Sequence, residues 1–354
     1  MVNRALNASG VATHPTIAGR WPRLSRLCAA HGGQGGRGAA KWRHVPSVPR
    51  SGPRFSMSPS QPDGAEAFDP PFAVDEPAQH AIPFVFNTPH SGAHYPDSFL
   101  AASRLDALAL RRSEDAHVDR LFAAVVGLGA PLMRANFPRA YLDVNREPYE
   151  LDPRMFAGRL PSYANTRSMR VAGGLGTVPR IVADGQEIYR ERLPVEEAVR
   201  RIETLYKPYH RTLRGLIHRT ARTFGRSFLI DCHSMPSSSL GRDESAQADF
   251  VLGDRFGTAC LPALVDGFES RLRALGYKVV RNKPYAGGFI TEHYGEPGLG
   301  RHALQIEINR ALYMNEQSLA LTAGFVTLAD HLAEVIAGVA AETVELPSHR
   351  IAAE

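Results

Sequence analysis

From residue 82 onward, short apolar runs rich in β-branched and aromatic residues alternate with stretches whose apolar positions return every three or four residues. The runs predict strands at Ile82–Asn87, Pro131–Asn136, Ala140–Val144, Ser227–Cys232, Phe250–Leu252, Tyr277–Arg281 and Ala303–Ile308. Between them Val118, Leu121, Phe122, Val125 and Val126 share one helical face, and Val195, Val199, Ile202, Tyr206, Tyr209 and Leu213 share another. A last helix is expected from about Glu316 to Thr343. Pro208 falls inside the second face, where its missing N–H and its ring should kink or split the helix. Strands separated by helices predict an α/β domain of three layers, with a mainly parallel or mixed central sheet flanked by helices. From Glu147 to Gln186 no period emerges, and an irregular stretch of that length is expected to be a functional loop.

Ahead of this pattern, residues 1–80 are rich in Gly, Pro, Ser and Arg without a sustained apolar period, so a disordered basic extension is expected before a folded domain at 81–345. Charge changes the picture here. The formal net charge of +5 invites a nucleic-acid reading, but residues 1–56 alone hold nine Lys/Arg and no acid. The remainder carries 32 basic against 36 acidic residues, a mildly acidic body that gives no reason to expect nucleic acid as a partner. The acid-free start suits either an organellar targeting segment or a start upstream of the true initiator, Met57. No run of eighteen apolar residues and no secretory pattern occurs, so no membrane association is expected. Cys28, Cys232 and Cys260 are too scattered for a disulfide framework or a paired-cysteine zinc site, and a cytoplasmic protein is expected.

Several chemistry-bearing residues sit at predicted strand ends, where open α/β sheets build their sites. His90 follows the first strand in Thr88-Pro89-His90-Ser91-Gly92, either as a turn histidine or as a metal ligand. Asp231 and His233 share a face of a later strand, as a zinc-binding imidazole and its orienting carboxylate would. Asp115 stands ahead of the helix beginning near Val118 and reads equally as its N-cap or as the carboxylate of a two-histidine, one-carboxylate metal site. Arg146, behind Asn145, offers a planar fork for a substrate carboxylate, with a surface salt bridge as the plainer reading. Glu307 lies mid-strand between apolar residues, where burial would raise its pKa toward a general base's range. Two signals are discounted: Gly173–Gly176 lacks dinucleotide-loop spacing, and Cys232 faces away from His233 in a strand.

Taken together, Asn87-Thr88-Pro89-His90-Ser91-Gly92, Asp115-Ala116-His117-Val118-Asp119-Arg120-Leu121, Arg139-Ala140-Tyr141-Leu142-Asp143-Val144-Asn145-Arg146, Asp231-Cys232-His233-Ser234-Met235 and Gln305-Ile306-Glu307-Ile308 resemble the N-formylglutamate amidohydrolase family. The resemblance runs from about residue 83 to 315 and takes in Gly174–Arg180 and Tyr206–His210. That family is similar to the zinc carboxypeptidase and aspartoacylase group, which implies a carboxypeptidase-like fold and a divalent metal, zinc by analogy. It further implies His90 and His233 as ligands, Asn145 and Arg146 as substrate binders and Glu307 as base; in the reaction expected from this set, Arg139 stabilises the oxyanion and Arg180 is a further candidate for a substrate carboxylate. One departure stands out: the carboxylate ligand three residues after the first histidine is replaced by Ala93, which leaves Asp115, with Glu114 and His94 as alternatives. The implied activity is release of formate from N-formyl-L-glutamate or a related N-formyl amino acid, late in histidine degradation. A deacylase or carboxypeptidase of another N-acyl amino acid, and a non-catalytic small-acid binding module, are the competing expectations.

Overall fold

A computed structural model describes residues 68–240 and 248–345 of the chain. All of them fall in the compact unit Ser60–Glu354. The expectations for the basic extension up to residue 67 lie outside the described residues.

The strands are β1 (Phe72–Asp75), β2 (Phe84–Thr88), β3 (Leu132–Ala135), β4 (Phe156–Ala157), β5 (Leu193–Pro194), β6 (Ser227–Met235), β7 (Phe250–Gly253), β8 (Val279–Arg281) and β9 (Arg301–Asn309). The helices are α1 (Asp97–Ala102), α2 (Ala107–Arg111), α3 (Val118–Leu121), α4 (Met169–Ala172), α5 (Val195–Arg201), α6 (Lys207–Phe224), α7 (Pro262–Ala274), α8 (Phe289–Tyr294) and α9 (Gly324–Glu345). Seven strands form one mixed sheet in the order β1-β3-β2-β6-β9-β7-β8, and β4 pairs with β5 separately. The central pairs β3/β2, β2/β6 and β6/β9 are parallel, while β1/β3 and β7/β9 are antiparallel.

Strand alternation divides the core in two. Phe84, Phe86, Phe228, Ile230, Cys232, Leu304 and Ile306 pack with residues of α3, α7 and α9 on one face. Val85, Leu229 and Ala303 pack with residues of α5, α6 and α8 on the other, completing the three layers. Cys232 therefore points away from His233, as the alternation requires. The span Gly324–Thr343 is long and apolar enough to cross a membrane by composition, but Leu328, Leu332, Val335, Ile336 and Val339 of that span are core residues.

Three expectations need correction. The folded chain begins before residue 81: Phe68 is buried, and β1 pairs with β3 through Phe72↔Ala135 to Asp75↔Leu132. A four-residue, half-buried edge strand flanked by prolines carries too little apolar signal to be seen in sequence. Ala140–Val144 is not a strand. It is buried throughout, and its backbone turns so that Tyr141 and Leu142 donate to Pro138 O and Asp143 N donates to Thr177 O. The last helix starts at Gly324 rather than Glu316, because the Asn315 side chain accepts from the N–H groups of Gln317 and Ser318 and forms a turn there. At Pro208 the expected split is found: a π-helical turn, Ile202–Tyr206, separates α5 from α6, and Pro208 occupies the first turn of α6.

Candidate active site

In this sheet β2 has β3 on one side and β6 on the other, so the chain reverses its direction of travel across the sheet at β2. Crevices at such reversals, beyond the carboxyl ends of the strands, are where α/β sheets bind ligands. His90 lies two residues past β2, and His233 lies in the last turn of pleat of β6. In β6 the two-residue period puts Asp231 and His233 on the face opposite the Phe228–Cys232 stripe. Parallel pairing then sets Asp231 beside Gln305 and His233 beside Glu307.

Asp115 joins them from a loop tied to the first histidine, since Asp115 N donates to His90 O at 3.0 Å. The N-cap reading fails here. The residue capping α3 is His117, with φ +66°, and no side chain caps this helix. The Asp115 carboxylate instead points between the histidines, its Oδ2 3.3 Å from His90 Nδ1 and 2.9 Å from His233 Nδ1. The alternatives are occupied elsewhere: Glu114 accepts from Arg111 and from Tyr95 Oη, and His94 packs edge-on against Phe68.

Each imidazole has a carboxylate behind it. His90 Nε2 lies 2.8 Å from Asp143 Oδ1, and His233 Nε2 lies 2.9 Å from Asp231 Oδ2. A ring that donates Nε2–H to a carboxylate presents an unprotonated Nδ1 at its other edge, the arrangement typical of metal-binding histidines. Ligand atoms of His90, Asp115 and His233 all lie within 4.8 Å of one another, and all three residues are buried. With Asp143, Asp231 and Glu307 close by, this cluster concentrates negative charge. Burial pulls the His233 pKa down, but Asp231, Asp115 and Glu307 outweigh it and hold it well above the usual value. Burial pushes Asp115 up, and its bonds to His233 and His90 hold it well below the carboxylate range. Two imidazoles and one carboxylate converging in such a field suit a divalent cation.

Arg310, unassigned by the sequence, fixes the Asp115 carboxylate from behind. Its Nη2 donates to Asp115 Oδ1 at 3.1 Å, its Nε to Ser234 Oγ and its Nη1 to Arg112 O. Glu307 is pushed up to about 7, first by burial and also by Asp115, against the opposing pull of His233, Arg139 and Arg310. Gln305 Nε2 donates to Glu307 Oε1 at 2.8 Å and orients it.

These groups line a cavity of about 610 Å³, of a size for a small organic ligand. Arg139 holds Asp143 through Nε at 3.0 Å, and its terminal nitrogens make no hydrogen bond among the described residues. Arg146 also lines the cavity, but Nε donates to Leu175 O, Nη1 to Asn145 O, and Nη2 lies 3.4 Å from Asp143 Oδ2. Of five N–H groups that leaves two for a substrate. Asn145 is more committed still: its amide nitrogen donates to Asp231 Oδ2, the carboxylate behind His233, and its oxygen accepts from Ile290 N. Gly288 packs so closely on that amide that a Cβ there would collide with it. Asn145 thus positions the histidine rather than presenting a free amide. Arg180 does not line the cavity, because its guanidinium is bonded to Asp152 and Glu187. The residues missed in sequence are Asp143, Gln305, Arg310 and the cavity-lining Arg170. Asp143, Gln305 and Arg310 lay inside or beside the motifs, but their partners are remote in sequence.

Residues 82–314 match the sequence profile of the N-formylglutamate amidohydrolase family. N-formylglutamate deformylase of Pseudomonas aeruginosa is 34% identical over 240 residues, covering 67% of this chain and 84% of the relative. The Pseudomonas putida deformylase is 31% identical over 241 residues with the same coverage. The crystal structure of N-formylglutamate amidohydrolase from Ralstonia eutropha JMP134 superposes with a TM-score of 0.73 at 38% identity, covering 77% of this chain and 99% of that one. A gene product of Agrobacterium tumefaciens at 19% identity and TM-score 0.57 shares the fold. The chain therefore belongs to the N-formylglutamate amidohydrolase family.

Proposed function

We propose that this protein hydrolyses the formyl amide of N-formyl-L-glutamate, or of a closely related N-formyl amino acid, to formate and the free amino acid. The observation that carries the reading is the convergence of His90, Asp115 and His233 beside Glu307 and Arg139 in one cavity. The substrate class rests on relatives named N-formylglutamate deformylase. His90, Asp115 and His233 would hold the cation, with zinc suited to two imidazoles and one carboxylate. Bound there, a zinc ion supplies a Lewis acid that acidifies water to a pKa of about 7 and polarises an amide carbonyl.

The remaining work falls to side chains of this chain. Glu307, kept basic near neutrality and aimed by Gln305, takes the proton of the attacking water and returns it to the leaving nitrogen. The unspent nitrogens of Arg139 stabilise the negative oxygen that develops on the formyl carbon, with Asp143 fixing their direction. Arg146 meets the α-carboxylate with its charge and remaining N–H groups.

The test is formate release from N-formyl and N-acetyl amino acids, with and without a chelator, alongside elemental analysis. Chelator-sensitive formate release is expected. Acetate release in preference to formate would move the activity to another deacylase, and full activity in metal-free protein would remove the proposed role of His90, Asp115 and His233.

A further inference from the structure

N-formylglutamate carries two carboxylates, one beside the scissile nitrogen and one at the end of its side chain, so a site selective for it needs two separate cationic partners. Most of the cavity's guanidinium groups are already committed. Arg310 is taken up by Asp115, Ser234 and Arg112 O, and Arg146 by Leu175 O, Asn145 O and Asp143. Arg139 is held through Nε on Asp143, the carboxylate behind His90, and is assigned above to the reacting carbonyl.

Arg170 differs. It lines the same cavity from α4, its side chain is 34% exposed, and its guanidinium makes no hydrogen bond among the described residues. Its nearest acid there is Glu150, with Oε2 3.8 Å from Nη1, too long for a hydrogen bond. The mounting is nevertheless firm. Ser168 caps α4 through Val171 N, and Arg154 Nη2 donates to the carbonyls of Val171 and Ala172. Leu175 N donates to Arg170 O at 2.8 Å, and Leu175 O accepts from Arg146 Nε at 2.8 Å, so a single short segment links the two arginines. Arg170 is near enough for its charge, with burial first and Arg139 contributing, to lower the pKa of Arg146. A fork fixed at its base, free of hydrogen bonds at its tip and facing the same cavity as Arg146 suits the distal carboxylate.

We infer that Arg170 binds the side-chain carboxylate of the substrate and sets the preference for an acidic N-formyl amino acid over a neutral one. This rests on the hydrolysis proposed above.

The experiment compares N-formyl-L-glutamate with N-formyl-L-glutamine, which has the same shape without the distal charge, in wild type, Arg170→Gln and Arg170→Lys. Loss of a charged, two-pronged contact should reduce the ratio of kcat/KM for the two substrates by about 10–100-fold in Arg170→Gln, mainly through KM for N-formylglutamate. Arg170→Lys, which keeps the charge but not the fork, should recover part of the ratio. A ratio that stays at the wild-type value, whether or not both activities fall together, overturns the inference and leaves the hydrolysis proposal standing. Wild type that releases formate from neither substrate overturns both.

Discussion

Asp115 carries two imidazoles on one oxygen and a guanidinium on the other, so each atom of its carboxylate has a separate task. Asp115→Asn keeps the shape and leaves no helix uncapped, yet an amide is a poor metal ligand. Elemental analysis should show metal falling from stoichiometric to trace, and stoichiometric metal in the variant would remove Asp115 from the ligand set. Asp143→Asn acts one shell out, weakening the acceptor that holds His90 Nε2. An orienting partner of this kind typically contributes 10–100-fold to metal affinity, which competition with a chromophoric chelator can measure. Glu307→Gln should leave the metal in place and lower kcat by about 10²–10⁴-fold, and a fully active variant would exclude Glu307 as the base. What the sequence made legible at this scale were the residues with a positional signature: histidines at strand ends and an acid within an apolar strand. Asp143, Gln305 and Arg310 were not legible, because each is defined by its partner. Arg310 and Asp115 lie 195 residues apart, and no local spacing reveals that pair.

Among the elements, α6 shows how a helix can serve the site without touching it. Tyr209 Oη donates to Asn87 Oδ1, and Asn87 Nδ2 donates to Asp231 at 2.8 Å, so α6 braces the carboxylate behind His233. At the next residue, His210 Nε2 lies 2.9 Å from Val144 O and Nδ1 lies 2.9 Å from Tyr294 Oη, bonds a neutral ring satisfies with Nε2 as donor. Burial, with smaller contributions from His293 and Arg214, pulls the His210 pKa down to about 3. The unfolded chain therefore takes up this proton first as pH falls. The neutral ring's contribution to stability is complete above about pH 6.5 and is lost progressively from there toward pH 3, at about 1.4 kcal/mol per pH unit. Urea unfolding of wild type should lose about 2 kcal/mol more than His210→Gln between pH 6.5 and pH 5. Equal slopes would place the pH sensitivity elsewhere. The periodicity of α6 was visible in sequence, as was the disturbance at Pro208. The segment it supports, Ala140–Val144, was misread, because strand-like composition also fits a chain buried on all sides whose hydrogen bonds go to turns and side chains.

Across the whole molecule, one face of the central strands is apolar along its length, and the other turns polar at the carboxyl ends, where Asp231, His233, Gln305 and Glu307 lie side by side. That division follows from the two-residue period, which is why the three-layer architecture and the location of the site were readable before the contacts were. The beginning of the fold was not, since its evidence is tertiary. Phe68 is 2% exposed and meets Phe137 and Tyr141 edge-on, with ring centroids 6.0 and 5.1 Å away. Tyr141 belongs to the segment that carries Asp143 and Arg146, so Phe68, four residues ahead of β1, supports the cavity wall from outside. A chain shortened to begin at Met57 keeps Phe68 and β1, and should unfold at the same urea concentration as the full chain. A chain beginning at Ala81 loses both. Emptying one buried aromatic site costs about 3–5 kcal/mol, a large share of the roughly 5–15 kcal/mol that holds a domain together. Phe68→Ala in the full-length chain isolates that part of the loss and should lower the urea midpoint by a comparable free energy. If the chain beginning at Ala81 keeps the full midpoint and turnover, the sheet does not need β1, and the domain starts where the sequence pattern alone had placed it.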